Sequence, residues 1–245
     1  MKSIVFAALW VVFILVQPLR AGPLIRVAAD EWPPFSGDNL PEKGLSLEVI
    51  ATVLTRAGYD VQVQILPWAR VLKSAQTGQI DVVGSLFNDP ERAAYLLYSE
   101  SYYSTPVHFV QKAGSGHVIA APADIYPLSV AVGEGFLYEA AFDSDPQINR
   151  VVVTTTTQGL RMVAGGRVDL TLDSLDVIEY ALAGGLSRLG PELEILPEPL
   201  ARNDLFMAVR QDHPQAGEIV RDFNLVLDEM RGDGSFARLL AKHGS

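Results

Sequence analysis

The sequence predicts an α/β fold in which a mixed, mainly parallel sheet is covered by helices on both faces. Two observations carry this. Strand-like and helix-like patterns alternate along the first hundred residues, an order that builds parallel sheets with crossover helices. A helix, stop and strand pattern from that stretch then recurs about ninety residues later at the same internal spacing.

The elements follow in order. Leu24–Ala29 is an apolar run of strand length. A loop from Asp30 to Lys43 carries Pro33, Pro34, Gly37 and Pro41. Leu45–Ala57 has apolar residues at 45, 47, 49, 50, 53, 54 and 57, the spacing of a helix, and Gly58 stops it. Tyr59–Leu66 alternates Val61, Val63 and Ile65 with glutamines, as a half-buried strand does. Pro67 opens a second helix, to about Gln76, and Gly78 ends it. Ile80–Ser85 is the next strand. In the second half, Leu128–Val132, Ile148–Val153 and Val168–Leu172 read as strands, with helices near Leu137–Phe142 and through Leu160–Ala164. Leu205–Val209 is a further strand. Ala216–Met230 is an amphipathic helix that Gly232-Asp-Gly234 breaks. Ser235–Lys242 closes the chain as a short helix, with Ser235 as N-cap and Phe236, Leu239 and Leu240 facing inward.

The recurrence lies between Leu72-x-x-Ala75-x-x-Gly78-Gln-Ile-Asp81 and Leu160-x-x-Val163-x-x-Gly166-Arg-Val-Asp169. Each stretch gives an apolar helix face, a glycine stop and an acidic residue opening a buried strand. A common helix-to-strand connection matches as well as a true repeat does. If it is a repeat, the chain has two similar lobes.

Ahead of these elements, Met1-Lys2 is followed by 13 apolar residues, Ile4–Val16, and by a stretch ending in the small residues Ala21 and Gly22. That order is the one of a secretory leader over residues 1–21, and the run is short of the about 20 apolar residues of a membrane span. An N-terminal anchor is the alternative. With Lys2 and Arg20 removed, 17 basic and 29 acidic residues remain, a net charge of −12. An acidic chain repels phosphate backbones, which argues against a nucleic-acid partner. The chain has no cysteine, which excludes disulfides, thiolate metal sites, cysteine nucleophiles and a lipidated N-terminal cysteine. A periplasmic protein that is not a lipoprotein is therefore expected.

Site candidates come from the rule that open parallel sheets bind ligands beyond the carboxyl ends of their strands. The first strand delivers Trp32 and Phe35 in a proline-stiffened loop, where they either stack on a ligand or cap the core. The second delivers Trp68 as a wall and Arg70 as an anion contact, although an Arg on a helix is commonly solvated. The third delivers Arg92, whose planar fork matches a carboxylate; a surface pair with Glu91 or Asp89 is the alternative. In the second half, the backbone N–H groups of Gly133-Glu-Gly135-Phe136 suit an anion. One of Thr154 to Thr157 is an N-cap and another faces the cleft. Asp173 is placed to hold an ammonium, or to cap or hinge. No His-Glu-x-x-His, Gly-x-Ser-x-Gly or P-loop occurs, and His108, His117, His213 and His243 lack metal-ligand spacing. No reaction, cofactor or metal is indicated.

Several stretches together resemble the family 3 extracellular solute-binding proteins, the amino-acid-binding type of ABC importers. They are Ala29-Asp-Glu-Trp-Pro-Pro-Phe35, Gly78-Gln-Ile-Asp81, Pro90-Glu-Arg92, Tyr98-Ser-Glu-Ser-Tyr-Tyr103, Gly166-Arg-Val-Asp169, and the tail from Phe206-Met-Ala-Val-Arg210 through Gly232-Asp-Gly-Ser-Phe236. The resemblance implies a two-lobed, type II periplasmic-binding-protein-like fold with two hinge crossings. Lobe 1 would be 22–105 with 204–245, and lobe 2 would be 106–203. Arg92 looks like the family's ligand-carboxylate arginine, Trp32 and Trp68 like cleft walls, and Ser85 like the ligand hydroxyl. Asp173 sits near the residue that takes the amino group, with Ser174 as the competing position. The resemblance implies a binding protein rather than an enzyme, and a monomer is the default expectation. It would capture a small polar solute, an amino acid or related carboxylate, first on Arg92. Closure would then bring Gly135, Thr156 and Asp173 onto the ligand for delivery to a membrane permease. A dehydratase on the same scaffold and a ligand-sensing partner of a membrane receptor are the alternatives, the first recognised by a cleft acid such as Glu31 or Asp173 with a perturbed pKa.

Overall fold

The computed structural model describes residues 22–244; the expected leader, 1–21, lies outside the described residues. The first half begins with β1 (Leu24–Ala29), α1 (Leu45–Arg56), β2 (Asp60–Ile65), α2 (Trp68–Gln76) and β3 (Val82–Leu86), followed by β4 (Leu96–Tyr98). β5 (Tyr103–Lys112) leads into the second half: β6 (Ser129–Gly133), α3 (Ala140–Ser144), β7 (Asn149–Val153), α4 (Thr156–Ala164), β8 (Leu170–Ser174) and α5 (Leu175–Ala183). β9 (Leu193–Arg210) returns to the first half, where α6 (Ala216–Gly232) and α7 (Ser235–Ala241) end the chain.

The strands form one mixed sheet in the order β2-β1-β3-β9-β5-β8-β6-β7, with β4 also paired to β9. The two wings, β2-β1-β3 and β8-β6-β7, are parallel, as the alternating pattern predicts. The antiparallel pairs all involve β5 or β9. β5 and β9 pair from Tyr103↔Leu205 to Lys112↔Leu193, and the end of β9 continues onto β3 and β4.

Side-chain alternation puts a core on each face of each wing. In the first half Val27, Ala29 and Val82 face α1, α6 and α7, with Leu47, Ile50, Phe223 and Leu227 packed on them. Ala28 and Val83 face α2, against Val71 and Ala75. In the second half Val130, Val132, Leu170 and Leu172 pack on Phe109 and Phe142, while Ala131 faces Leu160, Val163 and Ile178 of α4 and α5.

The recurring motif has one structural meaning in both halves. Asp81 N–H donates to the Arg26 carbonyl at 2.9 Å, and an Asp81 oxygen accepts from Arg26 N at 3.0 Å. Asp169 does the same with Ser129, at 3.1 and 2.8 Å. Each carboxylate therefore clips the start of one parallel strand to the next and fixes register. Asp81 adds the Arg26 guanidinium, which holds its carboxyl below the usual range despite burial.

Four sequence expectations are corrected. The helix expected near Leu137–Phe142 is Ala140–Ser144, because extended Glu139 caps it, its carboxylate accepting from Phe142 N at 2.8 Å. The last helix is capped at Gly234, in the left-handed region at φ 73°, not at Ser235, whose N–H donates to Asp233 at 2.6 Å. The strand expected at Val168–Leu172 runs to Ser174, which brings Asp173 inside it. The strand expected at Leu205–Val209 is the end of an 18-residue strand whose first part carries Pro197 and Pro199. That part lacks an alternating pattern and is held by its ladder to β5.

Candidate functional site

The carboxyl ends of β1, β3 and β8 meet the loop after β6 around a cavity of about 40 Å³. It is lined by Asp30, Trp32, Trp68, Ser85, Arg92, Phe136 and Asp173, with Leu86, Phe87, Leu137 and Tyr138 completing the walls. That volume holds about three water molecules.

Three hydrogen bonds cross the cleft between the halves. Trp32 Nε1 donates to Asp173 at 3.1 Å, Trp68 Nε1 to the Gly135 carbonyl at 3.1 Å, and Arg92 Nη2 to the same carbonyl at 2.9 Å. Arg92 is 8% exposed, its Nε lies 3.4 Å from Asp89, and its guanidinium sits 5.1 Å from the Trp68 ring centroid. Arg92 thus lines the cavity and pairs with Asp89, but the pair is buried rather than on the surface. Asp173 lines the cavity, whereas Ser174 is buried against Thr105. Besides the Trp32 indole, Asp173 accepts from the Thr156 hydroxyl and from Ser174 N. Burial nonetheless pushes its carboxyl up to about 6.

Ser85 sits in β3 at φ 56°, where a non-glycine residue is strained, and the β3–β9 register shifts between Val83 and Leu86. The irregularity re-aims the Ser85 side chain at the strand end. Its hydroxyl is buried, as are the nearby hydroxyls of Ser46 and Tyr102, and none of the three has a hydrogen-bond partner among the described residues.

Not every expected residue reaches the cavity. Phe35 is fully buried, in the core-capping role, with its ring 4.7 Å from Trp32. The cause is the docking of its loop on the start of α1: Leu45 N and Ser46 N donate to the carbonyls of Pro34 and Phe35 at 3.0 and 2.9 Å. Gly44 permits this approach, since a Cβ there would stand 2.7 Å from the Phe35 oxygen. Arg70 is exposed because α2 turns Val71, Ser74 and Ala75 inward and Arg70 away from them. Gly135 offers its carbonyl to Trp68 and Arg92, and the amides of Glu134 and Phe136 are bonded to the carbonyls of Val153 and Gly133. Thr155 is the N-cap of α4, and Thr156 acts through Asp173 while facing a separate groove.

The residue the sequence reading passed over is Asp30. It follows β1 directly, so the strand-end rule that selected Trp32 selects it equally. It is 8% exposed, and burial pushes its carboxyl up to about 7, with Asp173 and Glu31 adding and its own backbone N–H and Arg92 opposing. Glu31, named with Asp173 as a possible cleft acid, points out and accepts from Asp38 N at 3.1 Å. Among the described residues no helix is long and apolar enough to cross a membrane, and no acidic or histidine cluster suits a metal.

Residues 25–245 match the family model of the bacterial extracellular solute-binding proteins, family 3. The arginine-binding extracellular protein ArtP of Bacillus subtilis is 25% identical over 229 residues, 89% of this chain and 85% of that protein. Among solved structures, an ancestral arginine-binding protein bound to arginine is similar at a TM-score of 0.76 and 20% identity, covering 89% of this chain and 97% of that one. A histidine kinase sensor domain with similarity to periplasmic binding proteins is similar at a TM-score of 0.77 and 21% identity, covering 90% and 96%. These structures share the type II periplasmic-binding-protein fold with this chain.

Proposed function

Because the chain belongs to the bacterial extracellular solute-binding proteins, family 3, we propose that it captures an amino acid or related carboxylate in the cleft between its halves and delivers it to an ABC importer. The family is one of exported binding proteins, and the curated relative ArtP is itself a binding protein rather than an enzyme. The observation that carries the reading is Arg92: a nearly buried guanidinium in the 3-10 turn (Arg92–Ala94) that follows β3, lining the cavity between aromatic walls. A ligand carboxylate would take over the donor now spent on the Gly135 carbonyl and gain the fork's second N–H.

The lobes of this reading are 22–105 with 204–245, and 106–203. Their boundaries fall opposite each other on the β5–β9 ladder, where Thr105 pairs with Asn203 and Pro106 with Arg202. Rotation there would part the three cross-cleft bonds and widen the cavity, which is too small for an amino acid as it stands. The leader at 1–21 would export the chain to the periplasm as a freely diffusing monomer. The test is a thermal-shift screen of amino acids and small carboxylates with native mass spectrometry of the purified protein. A ligand at 100 times its Kd adds about 2.7 kcal/mol of stability. Arg92→Ala is expected to abolish the shift, and an unchanged shift would remove the carboxylate contact. The kinase sensor domain keeps a sensing role in view, which a pull-down with membrane proteins would separate from transport.

A further inference from the structure

Away from the cavity, the halves are tied at one more place, beside the crossing strands. β8 ends on β5, with Val107 paired to Ser174 and His108 to Asp173. The first turn of α5 therefore starts next to the point where β5 passes between the halves, and it reaches back over that point. Asp176 Oδ1 accepts from the Tyr103 hydroxyl at 2.8 Å, and its Oδ2 accepts from the Thr105 hydroxyl at 2.5 Å. A threonine hydroxyl has one proton to give, so in the 2.5 Å contact between Thr105 and Ser174 the donor is Ser174. Val177, next along α5, is buried in the core of the first half, in the cluster that holds Phe35. The Tyr103 ring packs on the same cluster, 5.5 Å from the ring of Phe35. Neither Tyr103 nor Asp176 lines the cavity.

We infer that the Tyr103–Asp176 bond, backed by Val177, is a latch for the arrangement in which the three cross-cleft bonds are made, so that Tyr103 and Asp176 are positioning residues that set the ligand's apparent affinity without touching it. This rests on the reading that the halves rotate about the β5–β9 crossing at Thr105 and Asn203. The Thr105 bond sits at that crossing and changes little as the halves turn. The Tyr103 hydroxyl stands at the tip of a long side chain fixed on the first half. Rotation of α5 away from that half parts it from Asp176 and draws Val177 out of the core. A hydroxyl on a carboxylate is a charge-assisted bond, and burying Val177 adds an apolar term of the same sign. Apparent affinity scales with the fraction of molecules in the competent arrangement, so a contact outside the cavity tunes it.

The test uses the ligand-free mature chain. The chain has no cysteine, so Lys73→Cys and Ser144→Cys give two unique spin-label sites, one exposed residue on each half. The distance between the labels is measured by double electron–electron resonance in this parent, with Tyr103→Phe, and with Trp68→Ala/Arg92→Ala, which removes both donors to the Gly135 carbonyl. Tyr103→Phe keeps the ring and removes only the hydroxyl. The parent is expected mainly at the shorter distance, and Tyr103→Phe to raise the ratio of longer to shorter about tenfold. Added to Asp176→Ala, Tyr103→Phe should raise it no further. A further rise there assigns the effect to another contact of Tyr103 and overturns the latch. A ratio that Tyr103→Phe leaves unchanged while Trp68→Ala/Arg92→Ala raises it, or a parent wholly at the longer distance, overturns the latch and leaves hinge closure standing. One unchanged distance in every variant removes hinge closure and the latch with it.

Discussion

The indole N–H of Trp32 donates to Asp173 across the cleft at 3.1 Å, joining residues 141 positions apart in the two halves. Trp32 belongs to the loop after β1, and Asp173 is the penultimate residue of β8, before α5. The bond therefore links a strand end of one half to a strand end of the other, beside the cavity.

Trp32→Phe should keep most of the ring packing on Phe35 and Phe87 and remove the donor. Asp173 then loses one of three bonds in a buried setting, so its carboxyl should titrate higher still. The loss expected is about 1–2 kcal/mol at neutral pH, read from urea unfolding. A drop that persists unchanged in an Asp173→Ala background, which removes the acceptor, would show that ring packing, not the bond, is responsible.

Stability should fall as pH rises from about 4 to about 7. Asp30 and Asp173 have folded-state carboxyls pushed up to about 7 and about 6, so in that window the folded chain holds protons that the unfolded chain has released. The unfolded state binding fewer protons gives ΔG of unfolding a negative slope with pH. Asp81 acts in the opposite sense: Arg26 and His213 favour its charged form, so its contribution is lost as pH falls toward and below the ordinary carboxylate range. The ligand-free protein is thus expected to be most stable in mildly acid solution. Melting temperature against pH at fixed ionic strength checks this, and Asp30→Asn should flatten the limb between about 5 and 7. A limb that is flat in the unmodified protein would contradict the burial of these two acids.

Ser85 at φ 56° makes a prediction in which chemistry and backbone part company. Ser85→Gly should melt at or above the parent because it removes the strain, while Ser85→Val should lose about 1–3 kcal/mol, since a β-branched residue is least tolerant of that region. Equal destabilisation by both variants in thermal unfolding would mean that the hydroxyl, not the backbone, dominates.

Much of the site was legible because one rule applies to it. Side chains at the carboxyl ends of parallel strands converge, so Trp32, Trp68, Ser85, Arg92 and Asp173 could be picked from strand positions and a family likeness, and all five line the cavity. The same rule offers Asp30 equally, but an aspartate after a strand is commonly a turn residue, and its burial beside the cavity is decided by folding. Phe35 could not be assigned to the cleft or the core from its neighbours, since that depended on where its loop lands on α1. The Gly135 carbonyl carries no side-chain signal at all.

What the sequence alone determined are the features written in local periodicity. These are the parallel wings, the helix faces that cover them, and the Asp81 and Asp169 clips that repeat with identical spacing. What only tertiary structure decided are the long strand β9, the pairing of Trp32 with Asp173, and the burial of Asp30 beside Asp173 and Arg92. The reason is physical. Periodicity records which face of an element is buried, and a residue's neighbours along the chain suffice for that. A ladder along a proline-bearing strand, a bond between residues 141 positions apart and the charge balance of a cavity depend on groups brought together only by folding.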